Sequence, residues 1–246
     1  MKKSLFIALA LAAICIMPSC VKDSVNDKVV FGDGEGMSVI SYEGIPLVQQ
    51  YSHTSWGYAI DLNGDGKDDV QFRSQVIYSE GGGQDICTEL YCYDGIALLG
   101  DIINQEQYLH IDSVFHTEDS IWWVVDITKT FTCERIDETD SIVDTTEKFS
   151  LYANNANDSF DKDNTFISDY VILKSAYPTY SAESENGDHI LYQYLIKNEN
   201  NCDVFPMEEV KYIGFRIANK DKTRLGWMKV ILHHNHVELL ETAIQK

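Results

Sequence analysis

Residues 56–74 read Trp56-Gly57-Tyr58-Ala59-Ile60-Asp61-Leu62-Asn63-Gly64-Asp65-Gly66-Lys67-Asp68-Asp69-Val70-Gln71-Phe72-Arg73-Ser74. β-Branched and aromatic residues flank a loop of Asn, Asp and Gly, which is the pattern of strand, turn and strand. The same punctuation recurs from Gly36 onward. Candidate strands are Ser38–Tyr42, Trp56–Leu62, Asp69–Ser74, Ile86–Tyr93, Tyr108–His116, Ile121–Glu134, Lys148–Ala153, Tyr170–Leu173, His189–Lys197, Glu209–Ala218, Arg224–His233 and His236–Ala243. Short apolar runs at this spacing predict an all-β chain folded as an antiparallel β-sandwich or jelly roll. The nearly apolar run Ile121–Ile127 is expected deep in its core. Short helices are expected only at Pro206–Val210 and in the last turn of the chain.

The loop carries the one pattern with specific chemistry. Asp61, Asn63, Asp65 and Asp69 place side-chain oxygens at loop positions 1, 3, 5 and 9, and Gly66 stands at position 6. Calcium takes about six to eight hard oxygen ligands, which a single segment supplies only by curling around the ion. Asp61, Asn63 and Asp65 are expected to give side-chain oxygens, Lys67 its carbonyl and Asp69 the closing carboxylate, with Gly66 free to bend at positive φ. A helix-flanked loop of the EF-hand kind would need a glutamate at position 12, where Phe72 stands. The competing reading is a plain hairpin turn at Asn63-Gly64 or Asp65-Gly66. A turn alone has no need of acids at both ends of the loop. The ion's expected role is structural, with an affinity of about 0.1 to 1 mM, as in extracellular modules.

This strand-loop-strand form resembles the nine-residue calcium loops of FG-GAP and related bacterial adhesin or surface repeats. A second stretch, Tyr212-Ile213-Gly214-Phe215-Arg216-Ile217 followed by Leu225-Gly226-Trp227-Met228-Lys229-Val230, is similar to the closing hairpin of uncharacterised secreted bacterial proteins that also carry an aspartate-rich loop early in the domain. The resemblance implies a β-sandwich and export, and no particular activity.

The N-terminus points the same way. Lys2 and Lys3 precede an apolar run from Leu5 to Met17, too short to span a bilayer comfortably and of the length of a signal segment. It ends Met17-Pro18-Ser19-Cys20, which resembles a lipoprotein signal cut just before an acylated cysteine. Residues 1–19 are therefore expected to be removed, Cys20 to carry lipid, residues 20–35 to act as a polar tether, and residues 36–246 to form the β-sandwich domain. Acyl chains on Cys20 would hold that domain at a membrane, each buried methylene adding about 0.8 kcal/mol. The Lys22-Asp23 pair beside Cys20 resembles the charged export signals of surface lipoproteins in Bacteroidetes. The expected location is thus the outer membrane or cell surface, with a periplasm-facing anchor as the alternative.

Loss of residues 1–19 removes two lysines and no acids, leaving 17 basic against 39 acidic groups. Such a surface repels phosphate backbones, so nucleic acid is not an expected partner. Besides Cys15 and Cys20, the chain holds Cys87, Cys92, Cys133 and Cys202, an even set that suggests disulfides in an exported protein. If Cys87 and Cys92 share a strand they lie roughly 16 Å apart, beyond the reach of a direct bridge. Pairing of each with Cys133 or Cys202 is therefore preferred.

Other constellations are weaker. His233, His234 and His236 fit an exposed turn at Asn235 better than a metal site, because bound histidines need a matched set of outer partners. The acidic stretches Ile136–Glu147 and Asn154–Asn164 read as surface loops. Trp56, Tyr177 and Tyr180 could stack on sugar rings, although core packing is the commoner use of aromatics. The expected function is a calcium-stabilised cell-envelope lipoprotein acting as a noncatalytic binding or adhesion module towards a glycan or surface protein. The alternative is a surface hydrolase acting on polysaccharide or protein, for which no reactive constellation is visible.

Overall fold

The computed structural model describes residues 28–46, 56–78, 84–116, 122–133, 142–174, 180–185, 191–200, 202, 205–219, 222–234 and 236–246. Residues 1–27, which include the expected signal segment, Cys20 and most of the expected tether, lie outside them. The described residues form strands and no helix: β1 Lys28–Val30, β2 Met37–Pro46, β3 Trp56–Ile60, β4 Val70–Tyr78, β5 Gln84–Cys92, β6 Ile96–His116, β7 Trp122–Thr132, β8 Ile142–Leu151, β9 Ser159–Asp161, β10 Phe166–Ile167, β11 Val171–Lys174, β12 Tyr180–Glu185, β13 Leu191–Asn200, β14 Val210–Ala218, β15 Thr223–Leu232 and β16 Val237–Gln245.

A ten-stranded sheet runs β12-β13-β7-β6-β14-β15-β16-β2, with β8 and β10 also paired to β6. A four-stranded sheet runs β11-β5-β4-β3, and β1 pairs with β9 alone. All pairs are antiparallel except β13 with β7, which run parallel from Leu191↔Trp122 to Asn200↔Phe131.

Alternation along β14 explains how the layers meet. Ile213, Phe215 and Ile217 point into one cluster with Ile60, Val70 and Phe72 of the four-stranded sheet, whereas Tyr212 joins Trp227, Phe160 and Phe31 on the other face. On β15 both faces are sealed, Met228 and Val230 to the first cluster and Leu225 and Trp227 to the second. The C-terminal hairpin is therefore the middle layer, covered on one side by β3, β4, β5 and β11 and on the other by β1 and β9. Burying each such Leu, Ile, Phe or Met contributes about 1.5–3 kcal/mol. Gly226 is required here, because a Cβ would collide with the Phe215 ring and the Ala243 carbonyl.

Several expectations need correction. Lys28–Val30 pairs with Ser159–Asp161, and Val29 and Phe31 are buried, so the chain enters the fold before Gly36. The apolar side chains of those two residues, in a segment otherwise polar, account for it. Part of the expected loop Asn154–Asn164 is β9, anchored by Phe160, and part of Ile136–Glu147 is β8. Pro206–Val210 is not a helix: Met207 bridges Leu232, Glu208 N–H donates to the Leu232 carbonyl at 2.8 Å, and Glu208 sits at φ 60. The chain ends in β16 rather than a helical turn. Within Ile121–Ile127, Asp126 is exposed and Ile127 half-buried. The side chains of residues 121–125 lie outside the described residues.

The cysteines also pair differently from expectation. Cys133 bonds to Cys202, with Cα atoms 5.1 Å apart, while Cys87 and Cys92 remain thiols on β5. The reason is register: the parallel β7–β13 ladder ends at Phe131↔Asn200, and two further steps along each chain bring Cys133 opposite Cys202. The four-stranded sheet holds Cys87 and Cys92 elsewhere, and burial pushes the Cys92 thiol up to about 12, with the Asp169 charge adding to it.

Candidate functional site

β3 and β4 pair from Trp56↔Ser74 to Ile60↔Val70, and residues 61–69 close the hairpin between them. Asp69 N–H donates to the Ile60 carbonyl at 2.8 Å, so the loop leaves and re-enters the ladder at adjoining points. Leu62 is buried within the main core cluster and pins the loop to the body of the domain. Gly64 and Gly66 lie at φ 76 and 86, in the left-handed region where glycine alone is unstrained.

Inside this frame Asp61 organises the backbone. Its Oδ1 accepts from the N–H groups of Asn63, Gly64 and Asp65 at 3.2, 2.7 and 3.3 Å, and its Oδ2 accepts from Gly66 N–H at 2.7 Å. Burial pushes the Asp61 carboxyl up, but these four donors outweigh it and hold the group below the ordinary carboxylate value. Successive N–H groups aimed at one anion form a concave nest of this kind.

Asp69 is the opposite case. It is only 7% exposed, accepts from Leu62 N–H at 2.8 Å, and receives the Asn63 Nδ2 amide at 3.1 Å on Oδ1 and 3.0 Å on Oδ2. Burial, followed by the charges of Asp61 and Asp65, outweighs these donors and raises its carboxyl above the ordinary value. Its ionised form has neutral donors and two nearby negative charges, and no basic side chain among its partners in the described residues.

The structure thus brings Asp61, Asn63 and Asp69 together. Asp65 stands at the exposed rim with its Oδ1 accepting from Lys67 N–H at 2.9 Å. Among the described residues no three or more His, Cys, Asp or Glu side chains form a metal-holding group. The residues nevertheless fit a hard cation in chemistry: all the candidate donors are oxygens, and the buried Asp69 carboxylate has no positive counterpart among the described residues.

The histidine turn is closed as expected, His233 N–H donating to the His236 carbonyl at 2.8 Å. His233 and His236 are brought together, with ring centroids 4.4 Å apart and planes 20° from parallel. His233 Nδ1 meets Glu208 at 2.8 Å and Nε2 meets Glu238 at 3.3 Å. Burial pulls the His233 imidazole down, but these two carboxylates outweigh it and raise it; burial and the neighbouring His233 lower His236. Sequence reasoning missed both glutamates, because neither is near His233 in the chain except Glu238, whose strand position alone does not disclose the contact. It also missed the part of Leu62, whose apolar side chain inside an acidic loop was the available signal. The side chains of Trp56, Tyr177 and Tyr180 lie outside the described residues.

No protein family model, curated protein or solved structure matches the chain.

Proposed function

We propose that this chain is a calcium-stabilised lipoprotein of the cell envelope, anchored through Cys20, whose β domain serves as a noncatalytic binding or adhesion module. The observation that supports the calcium reading is the buried Asp69 carboxylate, held beside Asp61 and Asp65 with neutral donors only among the described residues. A divalent cation would take Asp61, Asp65 and Asp69 through carboxylate oxygens, Lys67 through its carbonyl, and Asn63 through Oδ1 with the amide turned end for end. It would relieve the repulsion among three acids and fasten β3 to β4 at the point where their ladder ends. The anchor reading rests on the signal segment and Cys20, and the binding reading on an acidic, all-β domain held at a membrane surface.

Calcium should raise the melting temperature of the protein, and Asp65→Ala should remove most of that gain. Equal melting curves in calcium and in chelator would contradict the calcium reading. Cys20→Ala should release the protein from the detergent phase, and persistent partitioning of that variant would refute the anchor.

A further inference from the structure

A cavity of about 330 Å³ lies between β8 and the start of β11, lined among others by Gln105, Glu147, Lys148, Phe149, Asp169 and Tyr170. We propose that this groove is a saccharide subsite, taking one neutral sugar ring of a longer glycan. The proposal gives the binding module of the preceding section its ligand class and place, and it rests on that reading but not on the calcium loop.

Three observations support it. The first is an aromatic platform. Tyr170 is 44% exposed at the cavity, and its ring stacks on Tyr91 with centroids 5.5 Å apart and planes 22° from parallel. Tyr91 is itself fixed, its hydroxyl donating to Glu89 at 2.8 Å and the Arg73 guanidinium standing 5.5 Å from its ring centre. Tyr170 is therefore presented as a backed, rigid surface rather than a loose side chain, which lowers the ordering cost of stacking a ligand on it. The C–H face of a sugar ring is an apolar plane of matching shape.

The second is an orphan donor. Gln105 Nε2 is buried and has no hydrogen-bond partner among the described residues, and Gln105 lines this same cavity. Buried amides are rarely left so, and a turn of this side chain towards the groove it lines would bring the amide to an acceptor oxygen of a bound ligand.

The third is the balance of charge. Glu147 and Asp169 bring carboxylate acceptors, Lys148 a positive charge and Gln105 an amide, so both signs are present in the lining, with two acids to one base. An anionic ligand would meet two carboxylates on a strongly acidic chain, and a cationic one would meet Lys148. A hydroxyl, which both donates and accepts, suits every one of these groups. The volume falls at the small end of the roughly 300–1,000 Å³ found for small-molecule sites, which suits a ring rather than a folded partner.

The test uses the full chain in detergent, titrated by calorimetry with four neutral probes: cellotetraose, maltotetraose, β-1,4-mannotetraose and β-1,4-xylotetraose. At least one should bind with a dissociation constant in or below the millimolar range, and Tyr170→Ala and Gln105→Ala should each weaken that binding about tenfold or more. Tyr170→Phe should retain it, and unchanged melting curves for the variants would establish that the fold is intact. Absence of binding by all four probes, or binding untouched by both alanine changes, would overturn the proposal. Binding accompanied by cleavage of the probe would uphold the groove while refuting the noncatalytic reading, and a melting temperature indifferent to calcium would refute only the loop.

Discussion

Asn63 donates its amide to both carboxylate oxygens of Asp69, at 3.1 and 3.0 Å, across a loop in which those residues are six positions apart. A neutral amide thereby stands where the acid next needs positive charge. The contact holds the loop closed, yet it leaves Asp69 above its ordinary pKa, because burial and the charges of Asp61 and Asp65 exceed what the donors return. Raising a carboxyl pKa on folding means that its ionised form opposes folding above the unfolded value and that the penalty fades as pH falls through the folded value.

The first prediction follows from that sign. In chelator, Asp69→Asn should leave the melting temperature unchanged or higher, since the asparagine keeps an acceptor for Leu62 N–H and loses the unbalanced charge. In calcium at a hundredfold excess over its dissociation constant, wild type should gain about 2.7 kcal/mol and the variant almost nothing. Differential scanning calorimetry under both conditions decides it.

The disulfide supports a second. Cys133 and Cys202 are 69 residues apart in sequence, so the bridge removes a long loop from the unfolded ensemble. Cys202→Ser should lower stability by about 4 kcal/mol on the chain-entropy account, read from urea midpoints of the oxidised wild type and the variant.

Thiol chemistry gives a third. With its pKa raised to about 12 by burial first and Asp169 second, Cys92 should hold a thiolate fraction about a thousandfold below that of an ordinary cysteine near pH 8. Iodoacetamide labelling followed by mass spectrometry should find it unmodified in the native protein and fully modified in denaturant.

Gly226→Ala provides a fourth. The new Cβ would meet the Phe215 ring and the Ala243 carbonyl at once, and the carbonyl belongs to a paired strand that cannot turn aside. Overpacking of this kind should destabilise the domain by about 1–3 kcal/mol, measurable by thermal melting.

Titration of the histidine pair supplies a fifth. Ring resonances should place His233 above the usual 6.5 and His236 below it. Because His233 is raised on folding, its contribution to stability is complete below the unfolded value and disappears as pH rises through the folded one. Glu208→Gln should bring the His233 midpoint down, and an unmoved midpoint would contradict the assignment.

How much of this was visible in the sequence depends on what held each segment. β3, β4, β14, β15 and β16 were legible to within a few residues because each carries enough apolar alternation to identify itself. β1 and β9 are three residues long, and their place is decided by Phe31 stacking on Phe160 with centroids 4.9 Å apart, a contact between distant segments. The first half of β6 was not among the candidate strands, and Gly100 interrupts its apolar run there without ending the strand. Gly100 is a close approach, where any side chain would strike the Ser150 carbonyl of β8. The parallel partnership of β7 and β13 leaves no local mark, and the disulfide follows from it. In the loop, the spacing of Asp61, Asn63 and Asp69 announced that they belong to one tight turn; the groove at Tyr170 did not announce itself, since its walls come from three strands that the chain visits far apart.

β6 begins with Ile96–Leu99 sealed in the interior and continues to residues such as Ile102 and Ile111, which are 52% and 57% exposed. One unbroken backbone therefore crosses from a dry environment to a wet one. Amide protons near its start should exchange with deuterium only when the whole molecule opens, whereas those towards His116 should exchange through smaller excursions of the β7 ladder. The strand is covalently continuous and thermodynamically divided, so isotope uptake along its length would chart where the domain's interior gives way to its periphery.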